Sequence, residues 1–295
     1  MTKDPVRIRN HKLVDHWYRM SRDVGGELES IRFIVMHYTA GGSGVASRDY
    51  MLKSPTQKMK LLGASRKVYA SAHVVVDRDG SLWQIVPFNR MARHAGRSSW
   101  KGLDSLNRCS IGIEIANYGW LDRQGDGSYR RPDTPRFDPA DVTLAPMPSE
   151  TRMMGWENYT EPQLEAAERV TRALTDAYPS ITEILGHEEI APRRKFDPGP
   201  AFPMQLYRNI LDSRGVGALE GEPDDREPAP ERYVTTTRLN IRGGAGLEFE
   251  KLDESPLAPG TPLEYLDRDG VWTKVRIPGA DDTIGWVHSD YLRLV

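Results

Sequence analysis

Between Ser213 and Glu231 the chain reads as a stretch with no core of its own. It holds Gly215, Gly217, Gly221, Pro223, Pro228 and Pro230, and its six acidic residues face two arginines, Arg214 and Arg226. Such a composition cannot bury enough apolar surface to offset the entropy of ordering it, so residues 213–231 are expected to be a flexible linker. A linker there divides the 295 residues into one unit over 1–212 and another over 232–295. Two domains are also the expectation from length. The first unit is long enough to bury a full core without staples.

Charge and composition narrow the function. Lys+Arg number 40 and Asp+Glu 42, so no overall basic field recruits nucleic acid. The single cysteine, Cys109, cannot form an intramolecular disulfide framework, and is most simply a small core residue. No run of about 18 apolar residues occurs, and the N-terminus lacks the apolar core of a standard signal peptide. The expectation is a chain made in the cytoplasm, without a signal peptide, without membrane insertion, and monomeric.

Period and punctuation give a coarse element order for the first unit. Arg32–Met36 is a β-branched apolar run that reads as a buried strand, with His37 at its C-terminal end and a glycine loop beyond. Tyr69–Val76 and Ser81–Val86 flank the turn Asp77–Gly80 and read as a hairpin. Ser110–Ala116 is a further strand, in which Ile111, Ile113 and Ile115 alternate with Gly112 and Glu114, so Glu114 points away from the isoleucine face. Residues 120–156 are polar and rich in proline and glycine, and read as a long surface insertion. Thr160 is a possible N-cap, and Leu164, Ala167, Val170 and Leu174 recur at helical spacing until Pro179. Ile181–Leu185 reads as a strand delivering His187, and Phe202–Leu211 as a closing helix.

Two histidines stand out. His37 ends a buried strand, and His187 opens a segment that Pro192, Pro198 and Gly199 keep from being a regular helix. With Asp197 they offer two imidazoles and a carboxylate, the donor set of a metal site with one position left open. Lys195, two residues before Asp197, is either a fixed cation beside the chemistry or a solvated loop charge next to Arg193 and Arg194. On residue types alone such a site suits many hydrolases.

The surrounding words are more specific. HYTAGG, SAHVVVDRDGSLWQIVP, RHAG, NRCSIGIEI, YTEPQL and GHEEIAPRRKFDPG together resemble the zinc N-acetylmuramoyl-L-alanine amidases (amidase type 2), a family related to peptidoglycan-recognition proteins and amidase-type phage lysozymes. The resemblance covers about residues 8–212. It implies an α/β fold with a mixed central sheet flanked by helices, and Zn2+ on His37, His187 and Asp197. It further implies Glu114 and Lys195 as catalytic residues, and His94 and Asn107 as substrate contacts; Trp100 either lines the same groove or is an exposed structural tryptophan. In that reading zinc activates water, Glu114 is general base, Lys195 stabilises the oxyanion, and the partner is peptidoglycan or muropeptides. His73 either orients a ligand or packs in the sheet, while His11, His16 and His288 are structural or surface residues. The alternative is a non-catalytic peptidoglycan-binding receptor, which loss of a zinc ligand would mark; none is lost here.

Residues 233–295 resemble a bacterial SH3-type domain, a small all-β barrel, through LNIRG at 239–243, GVWTKV at 270–275 and GWVHSDYL at 285–292. The resemblance implies an endolysin-like wall-binding module, with Trp272 and Tyr291 as either ligand contacts or core aromatics. A protein partner is the competing role. A phage lysin, an envelope enzyme, an antibacterial effector and a recycling enzyme all fit the sequence.

Overall fold

The computed structural model describes residues 5–147, 151–212, 232–269, 271–279 and 283–294. The expected linker, 213–231, lies outside the described residues. The chain forms two compact units, Met1–Arg214 and Gly215–Val295. No helix among the described residues is long and apolar enough to cross a membrane.

The first unit is built on a six-stranded mixed sheet. Its strands are β1 (Trp17–Tyr18), β2 (Phe33–Tyr38), β3 (Val74–Val76), β4 (Leu82–Gln84), β5 (Ser110–Ile115) and, after an inserted sheet, β10 (Glu183–Gly186). The order across the sheet is β10-β2-β5-β3-β4-β1. All pairings are parallel except β3–β4. β2 lies between two parallel partners and is buried from Phe33 to His37. That is why it reads as a continuous apolar run rather than an alternating one. The strand runs to Tyr38, so His37, expected at its C-terminal end, is its last residue but one.

The isoleucine face of β5 is fully buried, with Ile111, Ile113 and Ile115 at 0% exposure. Helix α3 (Glu161–Ala177) packs across β3 and β5. It starts at a capping box, with Thr160 accepting from the Gln163 amide and the Gln163 side chain accepting from the Thr160 amide. Leu164, Ala167, Val170 and Leu174 are buried, as the helical spacing predicts. The short helices α1 (Gly44–Met51) and α2 (Pro55–Leu61) follow β2, α4 (His187–Ile190) follows β10, and α5 (Met204–Asp212) closes the unit.

Residues 120–157 correct the expectation of an irregular insertion. They form a separate antiparallel sheet from β6 (Trp120–Arg123), β7 (Tyr129–Arg130), β8 (Val142–Pro146) and β9 (Met153–Glu157), in the order β7-β6-β9-β8. Gly125, Gly127, Pro132, Pro135 and Pro139 occupy the connections between these short strands, whereas Pro146 ends β8 and Gly155 lies within β9. Leu121, Tyr129 and Val142 with Tyr118 and Phe137 make one small core, and Met147, Met154 and Trp156 make another. Spread over nearly forty positions, these apolar residues are too sparse for a periodic signal.

The second unit is a five-stranded antiparallel sheet. β11 (Arg232–Thr235), β12 (Pro262–Asp269), β13 (Trp272–Arg276), β14 (Ile284–His288) and β15 (Leu292–Leu294) lie in the order β14-β13-β12-β11-β15. Its core is Leu239, Ile241, Leu257, Leu263, Val275, Ile277 and Val287. Trp272 is buried, with its ring edge-on to His288, whereas Tyr291 is 45% exposed. Of the two aromatics, only Tyr291 has the exposure of a contact residue.

Candidate metal centre and active-site cleft

Three ligand-type atoms meet at the edge of the main sheet. His37 Nδ1 lies 2.9 Å from His187 Nδ1 and 2.9 Å from Asp197 Oδ2, and His187 Nδ1 lies 2.9 Å from the same oxygen. Both histidines and the aspartate are buried. Topology explains the meeting of the histidines. β2 and β10 are adjacent and parallel, with Met36 opposite Gly186, so His37 and His187 leave neighbouring strands at the same level.

Asp197 returns to this point because its loop is tied back along its length. The Lys195 amide donates to the Ala191 carbonyl at 3.1 Å, and the Glu188 amide donates to the Asp197 carbonyl at 2.9 Å. The Tyr159 hydroxyl donates to the Pro198 carbonyl at 2.8 Å. Arg208 pairs with Glu189, whose Oε2 in turn accepts from the Gly186 amide, fixing the start of α4.

The electrostatics favour a cation at this point. Burial and the neighbouring His187 lower His37 to about 4, so the ring is neutral near pH 7. Burial alone would raise Asp197, but hydrogen bonding and attraction from His187 and His37 hold it well below the usual carboxylate range. The His187 Nε2 faces the Ala95 carbonyl at 3.1 Å, and a carbonyl only accepts, so this nitrogen carries the proton and Nδ1 is left as a lone pair. Lone pairs and an anionic oxygen packed this closely suit a bound metal ion. A His–His–carboxylate set is a donor chemistry that divalent metals accept.

His187 and Asp197 line a cleft of about 700 Å³, together with Tyr38, Tyr50, Tyr69, Arg93, His94, Glu114, Trp120, Arg131, Arg194 and Lys195 among others. Glu114 is the register partner of His37 on the adjacent strand β5, so their side chains leave the sheet on the same side. Its Oε2 is buried with no hydrogen-bond partner. Burial and then the charge of Asp197 push Glu114 well above its ordinary range, with Lys195 opposing them. A second such carboxyl, Glu188, is raised by burial to about 8 and also has an unpartnered Oε2.

The expected substrate contacts separate into two groups. His94 lines the cleft. Asn107 and Trp100 do not: the Asn107 Oδ1 accepts the backbone amides of His94 and Ala95, at 3.0 and 2.8 Å. The Trp100 Nε1–H donates to Glu183 at 3.2 Å, and its ring packs on the Phe33 cluster, held there by a two-stranded ribbon (Ser99–Trp100 with Leu103–Asp104). His73 belongs to the sheet, its Nδ1 accepting from the Gly112 amide and its Nε2 donating to the Arg90 carbonyl. Cys109 is buried in the Phe33 cluster. Tyr38, Arg93, Trp120, Arg131 and Arg194 reach the cleft without having been anticipated. Tyr38, Arg93 and Arg194 carried a local signal, sitting beside His37, His94 and Lys195 within the quoted words. Trp120 and Arg131 come from the inserted sheet, where the arginine lies 4.6 Å over the indole ring.

A family model described as N-acetylmuramoyl-L-alanine amidase matches residues 27–200, and one described as bacterial SH3 domain matches residues 237–293. The chain is 37% identical over 142 residues to the 1,6-anhydro-N-acetylmuramyl-L-alanine amidase AmpD of Escherichia coli (strain K12), covering 48% of this chain and 58% of that protein. It is 31% identical over 189 residues to the N-acetylmuramoyl-L-alanine amidase AmiD of the same organism, covering 64% of this chain and 54% of that protein. The match therefore spans somewhat over half the length of each of these curated relatives. A solved structure of an AmpD selenomethionine derivative is 26% identical, with a TM-score of 0.48, covering 69% of this chain and 98% of that one. With the family model spanning more than half of its length, including every residue of the buried cluster, the chain belongs to the N-acetylmuramoyl-L-alanine amidases of type 2.

Proposed function

We propose that this chain is a zinc-dependent peptidoglycan amidase that hydrolyses the bond between the lactyl group of N-acetylmuramic acid and L-alanine of the stem peptide. The observation that carries the reading is the His37–His187–Asp197 cluster beside a cleft that Glu114 also lines, with the Glu114 Oε2 buried and unpartnered. His37, His187 and Asp197 would hold the zinc. When bound, zinc supplies Lewis-acid polarisation of a carbonyl and a water of lowered pKa.

The chain's own residues supply the proton transfers and the electrostatics. Glu114 is kept free of competing hydrogen bonds at Oε2, so its carboxylate can take the proton from the attacking water and return it to the leaving amine. Its affinity for protons is raised by burial, and a cation bound among the three ligands lowers it again toward the working range. Lys195 lines the same cleft, and its ammonium is the cation assigned here to the negative charge that develops on the carbonyl oxygen. Arg93, Arg131 and Arg194 give the cleft a cationic lining suited to the carboxylates of a stem peptide. The second unit supports a wall-anchoring role, which raises the effective concentration of the cleft at an insoluble polymer.

Digestion of purified sacculi with the zinc-loaded protein, read by mass spectrometry, tests the reading. Free stem peptide with an N-terminal alanine and no new reducing sugar ends is expected. New reducing ends, or binding without peptide release, would overturn it in favour of a glycosidase or a receptor.

A further inference from the structure

The orientation of both ligand histidines traces to a single dipeptide, His94-Ala95. His187 Nε2 donates to the Ala95 carbonyl at 3.1 Å. Arg194 Nη2 also lies 3.4 Å from this nitrogen, but its two hydrogens are already committed to the Ala95 and Arg97 carbonyls at 2.8 and 2.7 Å. His37 Nε2, the nitrogen turned away from the cluster, lies 3.0 Å from His94 Nδ1.

The far side of His94 decides which of these two nitrogens carries the proton. His94 Nε2 lies 3.2 Å from Ser110 Oγ, and that hydroxyl spends its only hydrogen on the Leu106 carbonyl at 2.6 Å. Ser110 therefore accepts, so His94 Nε2 carries the proton. The Nδ1 of neutral His94 is then a lone pair that accepts from His37 Nε2–H. His37 Nδ1 is thereby left bare, facing His187 and Asp197. Reversing the chain would put a proton on the one atom the metal needs.

The dipeptide itself is clamped. Asn107 Oδ1 accepts from both of its backbone amides, at 3.0 and 2.8 Å. Gly112 leaves the space the imidazole occupies, since a Cβ there would sit 2.4 Å from His94 Cγ.

We infer that Asn107 and Ser110 are positioning residues which, through His94-Ala95, fix both histidines in the tautomer that binds metal through Nδ1. The inference rests on the zinc reading above. It gives the RHAG and NRCS segments a shared role that neither lining the cleft nor packing the core requires. Outer partners of this kind typically govern about 10- to 100-fold in metal affinity.

Zinc affinity of the full chain, measured by competition with a chromophoric chelator, is the test, alongside melting temperatures with and without metal. Ser110→Ala and Asn107→Ala are each expected to weaken zinc by about 10- to 100-fold, and Asn107→Asp, which keeps the accepting oxygen, to stay within about threefold of wild type. If Asn107→Ala fails to fold, Ser110→Ala, which lacks only a hydroxyl, carries the comparison. Unchanged zinc competition in Ser110→Ala, with metal-free and metal-loaded melting lowered equally, means a purely structural role and overturns the inference. Wild-type protein that takes up no zinc would instead refute the metal-site reading itself.

Discussion

A carboxyl group buried near a second carboxylate, as Glu114 is near Asp197, is ordinarily kept protonated by desolvation and repulsion. Its position matters because Glu114 stands outside the three-atom cluster while sharing a strand level with His37. Glu114→Gln is isosteric and removes only the ability to exchange a proton. Zinc content by metal analysis should remain at one ion per chain, while stem-peptide release falls by about 100- to 10,000-fold. Full turnover in this variant would remove Glu114 from the role of base. At this scale the sequence was most informative where chemistry and spacing coincide: His37 at a strand end, the run from His187 to Asp197, and Glu114 opposite an isoleucine face. It was least informative for residues defined by what they touch. The resemblance implies a groove role for Asn107 and leaves Trp100 between groove and structure, yet their polar atoms are spent on the backbone and on Glu183.

Among the elements, the segment from Tyr69 to Ser71, which lines one side of the cleft, is held by a buried ion network. Lys58, on α2, is fully buried, and its ammonium donates to Asp23 at 2.8 Å and to the Ala70 carbonyl at 2.7 Å. The Ala70 amide and the Ser71 hydroxyl return bonds to Asp23. Arg93 Nε lies 3.1 Å from the other Asp23 oxygen, an ion contact without hydrogen-bond alignment. Lys58→Met should cost about 3 kcal/mol in chemical denaturation, because it strands a buried carboxylate with only the partly exposed Arg93 opposite it. A loss below about 0.5 kcal/mol would mean the network is electrostatically neutral to the fold. Helix α3 was legible because cap, period and stop coincide, and β2 and β5 because their apolar pattern is dense. The inserted sheet was not, since its strands are short and pair mainly with each other. Lys58 was equally hidden, for nothing in PTQKMKL marks one lysine as the buried one.

Across the whole molecule, the chain forms two units, Met1–Arg214 and Gly215–Val295, and a proline-, glycine- and acid-rich stretch lies between two apolar patterns of the sequence. The long-range pairing inside the first unit was not readable there, because parallel neighbours such as β2 and β10 are joined through most of that unit. His37 and His187 stand 150 positions apart in the chain, so zinc held between them, as proposed, would act as a cross-link that closes a very large loop. Metal held only by the folded state adds about 3 kcal/mol at roughly 100 times its Kd. Chelation should therefore lower the melting transition of the first unit by several degrees and leave that of the second where it was, as calorimetry of the full chain can resolve. A single transition that ignores the chelator would contradict this. Zinc held there would, in this light, also be a clasp: it would join the second strand of the core sheet to the last, neighbours in space that are distant in the chain.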